Sequence, residues 1–198
     1  MAPRDLRLIL ASGSPQRKAL LESAGYPFEV VVPSPQAECG VCSKETPGEL
    51  VARLAWQKAA DVAEQLRHQP MPGDLIVACD TVAECLGQIL GKPSDREHAR
   101  QMLLRLSGRD HRVYSGLCLW PLAGGQPKVQ VARTTLQMDP LGEDRIEEYL
   151  DSGLWEGKAG AFGYQDRAGW LHIVSGSESN VVGLPLELLE AMLDSWTG

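Results

Sequence analysis

Leu75-Ile76-Val77-Ala78-Cys79-Asp80-Thr81 is the stretch that decides the fold. Its unbroken apolar run, with no polar alternation, reads as a strand buried on both faces, as in the sheets of α/β proteins. Asp80 arrives at the end of that strand. A carboxylate beside such a run is costly to bury without a cation or hydrogen-bond donors, and strand ends in open α/β sheets are where ligand crevices form. An aspartate capping a turn through Thr81 is the purely structural alternative.

Upstream, Leu6 to Leu10 forms a short apolar strand that runs into Ala11-Ser12-Gly13-Ser14-Pro15. Ser14 as N-cap and Pro15 at the first helical position open a helix ending near Gly25. Phe28 to Val32 reads as a second strand, followed by a loop carrying Glu38, Cys39 and Cys42. Thr46-Pro47-Gly48-Glu49 has capping-box spacing, and Val51, Leu54, Ala55, Ala59, Val62 and Leu66 then recur with helical period. Lys58 lies four residues from both Leu54 and Val62, so it shares the apolar face.

Downstream, Thr81–Glu84 and Gln88–Leu90 flank Leu86-Gly87 as a hairpin, and Gly91-Lys92-Pro93 makes a rigid corner. Ser94-Asp95-Arg96-Glu97 has the spacing of another capping box, for a helix that ends at Ser107-Gly108. Strands over Val113–Trp120 and Val129–Met138, a short helix over Glu143–Leu150 and a glycine-punctuated loop over Lys158–Gln165 follow. A strand over Trp170–Val174 and a helix over Leu184–Leu193, with Pro185 in its first turn, complete the chain. This alternation, without repeat or linker, predicts one α/β domain over residues 1–198.

Composition narrows the function. The 198 residues are 43% hydrophobic and 23% charged, the profile of a soluble globular protein. A net charge of -7 argues against extended nucleic acid as a partner, though not against a small anion in a locally basic pocket. No apolar run approaches the roughly 20 residues that cross a bilayer, and no signal sequence is visible, so no membrane role and a cytoplasmic location are expected. Five cysteines, an odd number, fit reduced thiols. Cys39-x-x-Cys42 lacks a second ligand pair, which favours incidental thiols over a thiol or metal module.

Four features can carry chemistry. At the first strand–helix junction, the Ser12 and Ser14 hydroxyls and free backbone N–H groups could cradle phosphate, with Arg17 adding a charged fork. The junction is neither a Walker A loop nor a dinucleotide fingerprint, and a simple capped helix is the competing reading. Asp80, Lys58 and Lys92 are the others, although a lysine in either setting can also snorkel to the surface. All four lie at element ends or faces that could converge on one cleft.

The strings LILASGSPQRKALLESAG (8–25), ACDTVAECLGQILGKPSDREHARQMLLRLSGRDHRVYSG (78–116) and GKAGAFGYQDRAGWLHIVSGSESNVVGLPLELLEAML (157–193) resemble the Maf family of nucleoside triphosphate pyrophosphatases, also known as septum formation inhibitor proteins. The resemblance spans essentially the whole chain. It implies an α/β fold with a long, mixed, twisted sheet, flanking helices and two lobes around a cleft, as in the inosine triphosphate pyrophosphatases. It also implies hydrolysis of a nucleoside triphosphate to monophosphate and pyrophosphate with a divalent metal, Mg²⁺ or Mn²⁺, and a homodimer.

Residue by residue, the resemblance implies phosphate binding by Ser12, Arg17, Lys58 and Lys92. Asp80 becomes the general base and a metal contact, and Glu38 a second metal contact. Three positions sort substrates: a pyrimidine subgroup carries Arg, Thr and Gln, whereas a 7-methyl-GTP subgroup carries Trp, Gln and Glu. This chain has Gln16, Thr81 and Gln165. Two positions match the pyrimidine set, and the surface and anion suited to a cationic guanine are missing. The family commonly has an aspartate where Gly157 stands, so any salt bridge from that position is not expected here. The alternative to an enzyme is a nucleotide-binding regulator of cell division with little turnover.

Overall fold

Seven strands make one sheet: β1 (Arg7–Leu10), β2 (Phe28–Val30), β3 (Asp74–Cys85), β4 (Gln88–Leu90), β5 (Asp110–Pro121), β6 (Lys128–Met138) and β7 (Leu171–Ser175). The structure, a computed structural model, describes residues 6–38, 44–68, 73–166 and 169–196. The strand order is β2-β1-β3-β5-β6-β7, with β4 paired to β3 outside that path. β1 runs parallel to β2 and β3, while every other pairing is antiparallel, so the sheet is mixed. Helices α1 (Pro15–Ser23), α2 (Pro47–Leu66), α3 (Arg96–Leu106), α4 (Glu143–Asp151), α5 (Glu178–Val182) and α6 (Leu186–Asp194) flank it. No helix among the described residues is long and apolar enough to cross a membrane.

Local chemistry sets the helix starts. Thr46 Oγ1 accepts from the Glu49 backbone N–H at 3.3 Å while Glu49 Oε2 accepts from that of Thr46 at 2.9 Å, the reciprocal box expected at α2. Ser14 caps α1, with Pro15 in the first turn. Three expectations need correction. α3 is capped by Asp95, not Ser94: Asp95 Oδ1 accepts from His98 N at 2.8 Å, and the Ser94 hydroxyl turns instead to Asp95 Oδ2. α6 begins at Leu186 with Pro185 as its cap, because the unpredicted helix α5 ends at Gly183, whose φ of +126° suits glycine.

The third correction concerns Asp80. It lies in the middle of β3 rather than at its end, because the ladder with β5 runs unbroken from Leu75↔Pro121 to Glu84↔Arg112. Both faces of the first half of β3 are buried, as the apolar run predicts. Leu75, Val77 and Cys79 pack with Leu10, Leu21, Leu117 and the α6 residues Leu189 and Leu193. Ile76 and Ala78 point the other way, onto Ile9 and the α2 residues Ala55, Ala59 and Val62. Past Asp80 and Thr81 a separate core begins, built from Ala83, Cys85, Leu103, Leu106, Leu136, Phe162 and Trp170. Asp80, Thr81, Ser115 and Gly116 therefore make a polar seam between the two sets of cores.

Gly116, opposite Asp80 in the ladder, is where α2 meets the sheet. A Cβ there would stand 2.1 Å from the Val51 carbonyl oxygen and 2.7 Å from the Ala52 nitrogen, so only glycine lets the helix backbone lie this close. Gly116→Ala should therefore lower stability by about 3 kcal/mol, at the upper end of overpacking costs, measured as a fall in the urea midpoint.

His111 on β5 is 1% exposed, with its ring edge-on to Phe162 at 5.1 Å between centroids. Neither ring nitrogen has a hydrogen-bond partner among the described residues. Desolvation lowers its pKa to about 4; the Arg109 backbone, Asp110 and Glu84 oppose the shift without reversing it. The unfolded imidazole protonates near 6.5, so between about pH 6.5 and about pH 4 the unfolded chain binds more protons and stability falls as pH drops. The loss across that window should approach about 3 kcal/mol, and His111→Leu should remove that part of the acid sensitivity in urea titrations at about pH 7 and about pH 4.5.

Candidate active site

The apolar stripe of α2 that buries Ala55, Ala59 and Val62 also carries Lys58 down onto the sheet. Its ammonium donates to Asp80 Oδ1 at 2.6 Å, and the two side chains are only 5% and 13% exposed. The lysine does not snorkel. A charge held this far from water requires its counter-ion, so this contact fixes α2 against the middle of β3. Asp80 Oδ2 has no partner among the described residues and stays available at the partly exposed edge of the seam.

One residue further along β3, Thr81 faces the opposite side. Its hydroxyl lies 2.8 Å from Ser115 Oγ, its partner in the β3–β5 register, and 3.3 Å from the Gly183 carbonyl oxygen. Arg17, in the second position after Pro15 at the start of α1, reaches this point too. Its Nε donates to Gly183 O at 2.8 Å, one terminal nitrogen to Ser12 Oγ at 3.2 Å and the other to Thr81 Oγ1 at 3.4 Å. Ser12 Oγ also accepts from Ser14 N, and Ser14 donates its hydroxyl to Gln16 Oε1 at 2.9 Å. The strand–helix junction is thus organised around its own hydroxyls, with Gln16 and Arg17 on its first turn.

Ser12, Gln16, Arg17, Lys58, Asp80 and Thr81 consequently gather at the middle of the sheet from three separate segments. Lys92 is exposed on the connection from β4 to α3 and has no ion-pair partner among the described residues. β4 runs antiparallel to β3 from Gln88↔Cys85 to Leu90↔Ala83, so the chain leaves it heading back toward the level of Thr81. Gln165 is exposed on the 3-10 turn Tyr164–Asp166, which lies against α5. Glu38 ends the 3-10 turn Pro35–Glu38 beside α2; its side chain, and Cys39 and Cys42, lie outside the described residues. Those residues contain no group of three or more His, Cys, Asp or Glu placed to hold a metal.

Several participants escape a reading of the sequence. Cys79 donates its thiol to Gly183 O at 3.2 Å, and complete burial pushes its pKa up, which keeps it a protonated donor. Lys158 and Asp166 form a partly buried ion pair at 2.5 Å, and the Tyr149 hydroxyl donates to Asp166 at 2.7 Å. This clamp closes the glycine-rich loop on either side of Gln165. Lys158 thus finds its counter-ion downstream, while Gly157 takes a φ of +70°. Gly160 N donates to Gly91 O at 3.0 Å, tying the loop to the corner that carries Lys92. The register partner of Thr81 could have flagged Ser115; the Lys158–Asp166 pairing has no signal in spacing alone.

Comparison with known proteins places the chain. The chain matches the family described as Maf-like protein over residues 7–196. It is 52% identical to a dTTP/UTP pyrophosphatase of Rhodopirellula baltica over 196 residues, covering 98% of this chain and 84% of the relative. A dTTP/UTP pyrophosphatase of Symbiobacterium thermophilum is 42% identical over 188 residues, covering 94% and 92%. Among solved structures, the Ham1 protein of Staphylococcus aureus aligns over 96% of this chain and 98% of its own, with a TM-score of 0.52 at 13% identity. A HAM1 protein of Coxiella burnetii gives 0.51 at 15%, covering 96% and 100%. That likeness is one of fold.

Removing one member of the central ion pair should be costly to the fold itself. Lys58→Met leaves the Asp80 carboxylate buried without its donor and is expected to cost about 3–5 kcal/mol by urea denaturation. Asp80→Asn keeps an oxygen that accepts from Lys58 and should cost less.

Proposed function

The chain belongs to the Maf-like protein family, and from that premise we propose that it hydrolyses the α–β phosphoanhydride of a pyrimidine nucleoside triphosphate, dTTP or UTP, to monophosphate and pyrophosphate. One observation supports the reading: the Lys58–Asp80 pair and the Arg17–Thr81 contact fall on consecutive residues of β3, which brings a carboxylate and two cations to the same level of the sheet. The 52% identity to a dTTP/UTP pyrophosphatase over 98% of this chain supports the substrate class. The whole chain is read as one domain, and its buried free thiols Cys79, Cys85 and Cys118 accord with a reducing cytoplasm.

In this reading Asp80 is the general base. Lys58 holds Oδ1, which orients the carboxylate so that Oδ2 can take a proton from water. The water oxygen bonds to the α-phosphorus, and the α–β bridging oxygen departs with pyrophosphate. Arg17, Lys92 and the Ser12 junction bind the phosphate chain, where their positive charge offsets the charge gathering on the leaving group. Gln16, Thr81 and Gln165 face the nucleoside. An amide at position 16 can both donate to and accept from a uracil edge.

The donor set suits a divalent cation of the Mg²⁺ class. Such ions take one or two carboxylates and keep the rest of their sphere for waters and substrate phosphates, which accords with Asp80, whose Oδ2 has no partner among the described residues; Glu38, whose side chain lies outside those residues, is proposed as the second carboxylate. Bound by these two carboxylates, Mg²⁺ or Mn²⁺ would polarise phosphoryl oxygens and neutralise their charge.

The test is a nucleotide panel scored by pyrophosphate release with and without Mg²⁺ or Mn²⁺. dTTP and UTP should be turned over faster than 7-methyl-GTP, and Asp80→Asn should lose about 10²-fold or more in rate. Saturable nucleotide binding without pyrophosphate would identify a binding regulator instead, and faster turnover of 7-methyl-GTP would overturn the pyrimidine assignment.

A further inference from the structure

The Gly183 carbonyl oxygen is the busiest acceptor near the site. It receives Arg17 Nε at 2.8 Å and Cys79 Sγ at 3.2 Å, and the Thr81 hydroxyl, a third potential donor, lies 3.3 Å away; the three come from two other segments of the chain. The segment that presents it, α5, has only five residues, too short to hold its place by its own hydrogen bonds. Something else must locate it.

Two buried polar side chains do so. Asn180, 0% exposed, donates its amide to Val113 O at 3.2 Å on β5 and to Thr134 Oγ1 at 2.9 Å on β6. Its own Oδ1 has no partner among the described residues. An unpaired buried carbonyl oxygen opposes stability, so the two donated bonds are retained for where they put α5. Ser115, also 0% exposed, lies between the Thr81 hydroxyl at 2.8 Å and the Asn180 carbonyl oxygen at 3.4 Å. With one proton on each hydroxyl, either Ser115 donates to the Asn180 carbonyl and Thr81 to Ser115, or Ser115 donates to Thr81 and Thr81 to Gly183. In both arrangements Thr81 Oγ1 keeps a lone pair for Arg17. α5 also lies against α1, which carries Gln16 and Arg17, and against the turn that carries Gln165.

We propose that Asn180 and Ser115 are positioning residues for the Arg17 guanidinium, acting through the Gly183 carbonyl and the Thr81 hydroxyl. Neither reaches substrate. They fix the fork of Arg17, which otherwise swings on a long side chain, so that its remaining N–H directions meet phosphate without further ordering. The proposal rests on the reading that Arg17 holds the phosphate chain.

A double-mutant cycle tests it on the full chain, with KM for dTTP in the presence of Mg²⁺ and, separately, Kd for a dTTP analogue carrying a methylene between the α- and β-phosphorus. Arg17→Ala should weaken both by about tenfold or more, and Ser115→Ala and Asn180→Ala each by about fivefold with little change in kcat. In the Arg17→Ala background the same two substitutions should change KM and Kd by less than about twofold, because their effect passes through the missing guanidinium. Fully multiplicative effects, or a Ser115→Ala variant with unchanged Kd beside a weakened Arg17→Ala, would overturn the positioning role. If Asn180→Ala does not fold, Ser115→Ala decides alone. A wild type that binds the analogue without releasing pyrophosphate from dTTP overturns the functional reading, while the Kd cycle still decides the positioning. No weakening in Arg17→Ala overturns the phosphate-binding role of Arg17 and the positioning role with it, while pyrophosphate release from dTTP still decides the hydrolysis.

Discussion

The ladder between β3 and β5 is the constraint from which the rest follows. It must cross from one hydrophobic core to the other, and at the crossing it carries Asp80, Thr81, Ser115 and Gly116 instead of apolar residues. A carboxylate in mid-strand survives there only with a cation beside it, and Lys58 supplies the cation at 2.6 Å. Lys58 reaches it only because α2 lies flush on the sheet, and α2 lies flush only because Gly116 has no side chain. The fold and the site thus share one set of contacts, and neither can be altered alone.

The acidity of the chain reads differently once these contacts are placed. A net charge of -7 is an average over a surface on which several cations are already neutralised, as Arg96 and Arg100 are by Glu147 between α3 and α4. Arg17 is an exception: its guanidinium is satisfied by a carbonyl and two hydroxyls rather than by a carboxylate. Its charge therefore remains unspent for an incoming anion. Lys92, exposed and without a counter-ion among the described residues, is a second. A polyanion meets an acidic exterior, whereas Arg17 and Lys92 are positive groups left for the compact triphosphate proposed as substrate.

Much of this was legible before the structure. The doubly buried run ending in Cys79, the Thr46 capping box and the lysine on the apolar stripe of α2 report local physics, and all three stand as read. What was hidden depends on partners distant in the chain. β3 continues past Asp80 because β5 continues opposite it, a fact of pairing and not of residues 75–85. α5 escaped notice because a five-residue helix has too few turns to show a period, and its N-cap Ser177 sits in a Gly-Ser-rich stretch that reads as loop. Lys158 and Asp166 are ordinary charged residues in sequence and become a partly buried pair only when the loop folds over Gly163.

The order in which these partners leave the ribosome separates the two halves of the site. Lys58 and Asp80 are 22 positions apart, with their helix and strand adjacent in the chain, so that pair can form early. Arg17 must wait for Gly183, 166 positions later. A nascent chain that has not reached Gly183 can hold the carboxylate and its lysine, but its Arg17 guanidinium lacks the shortest of its three anchors. The contact that orients Arg17 can therefore form only after residue 183 has been made, well after the Lys58–Asp80 pair has both its partners.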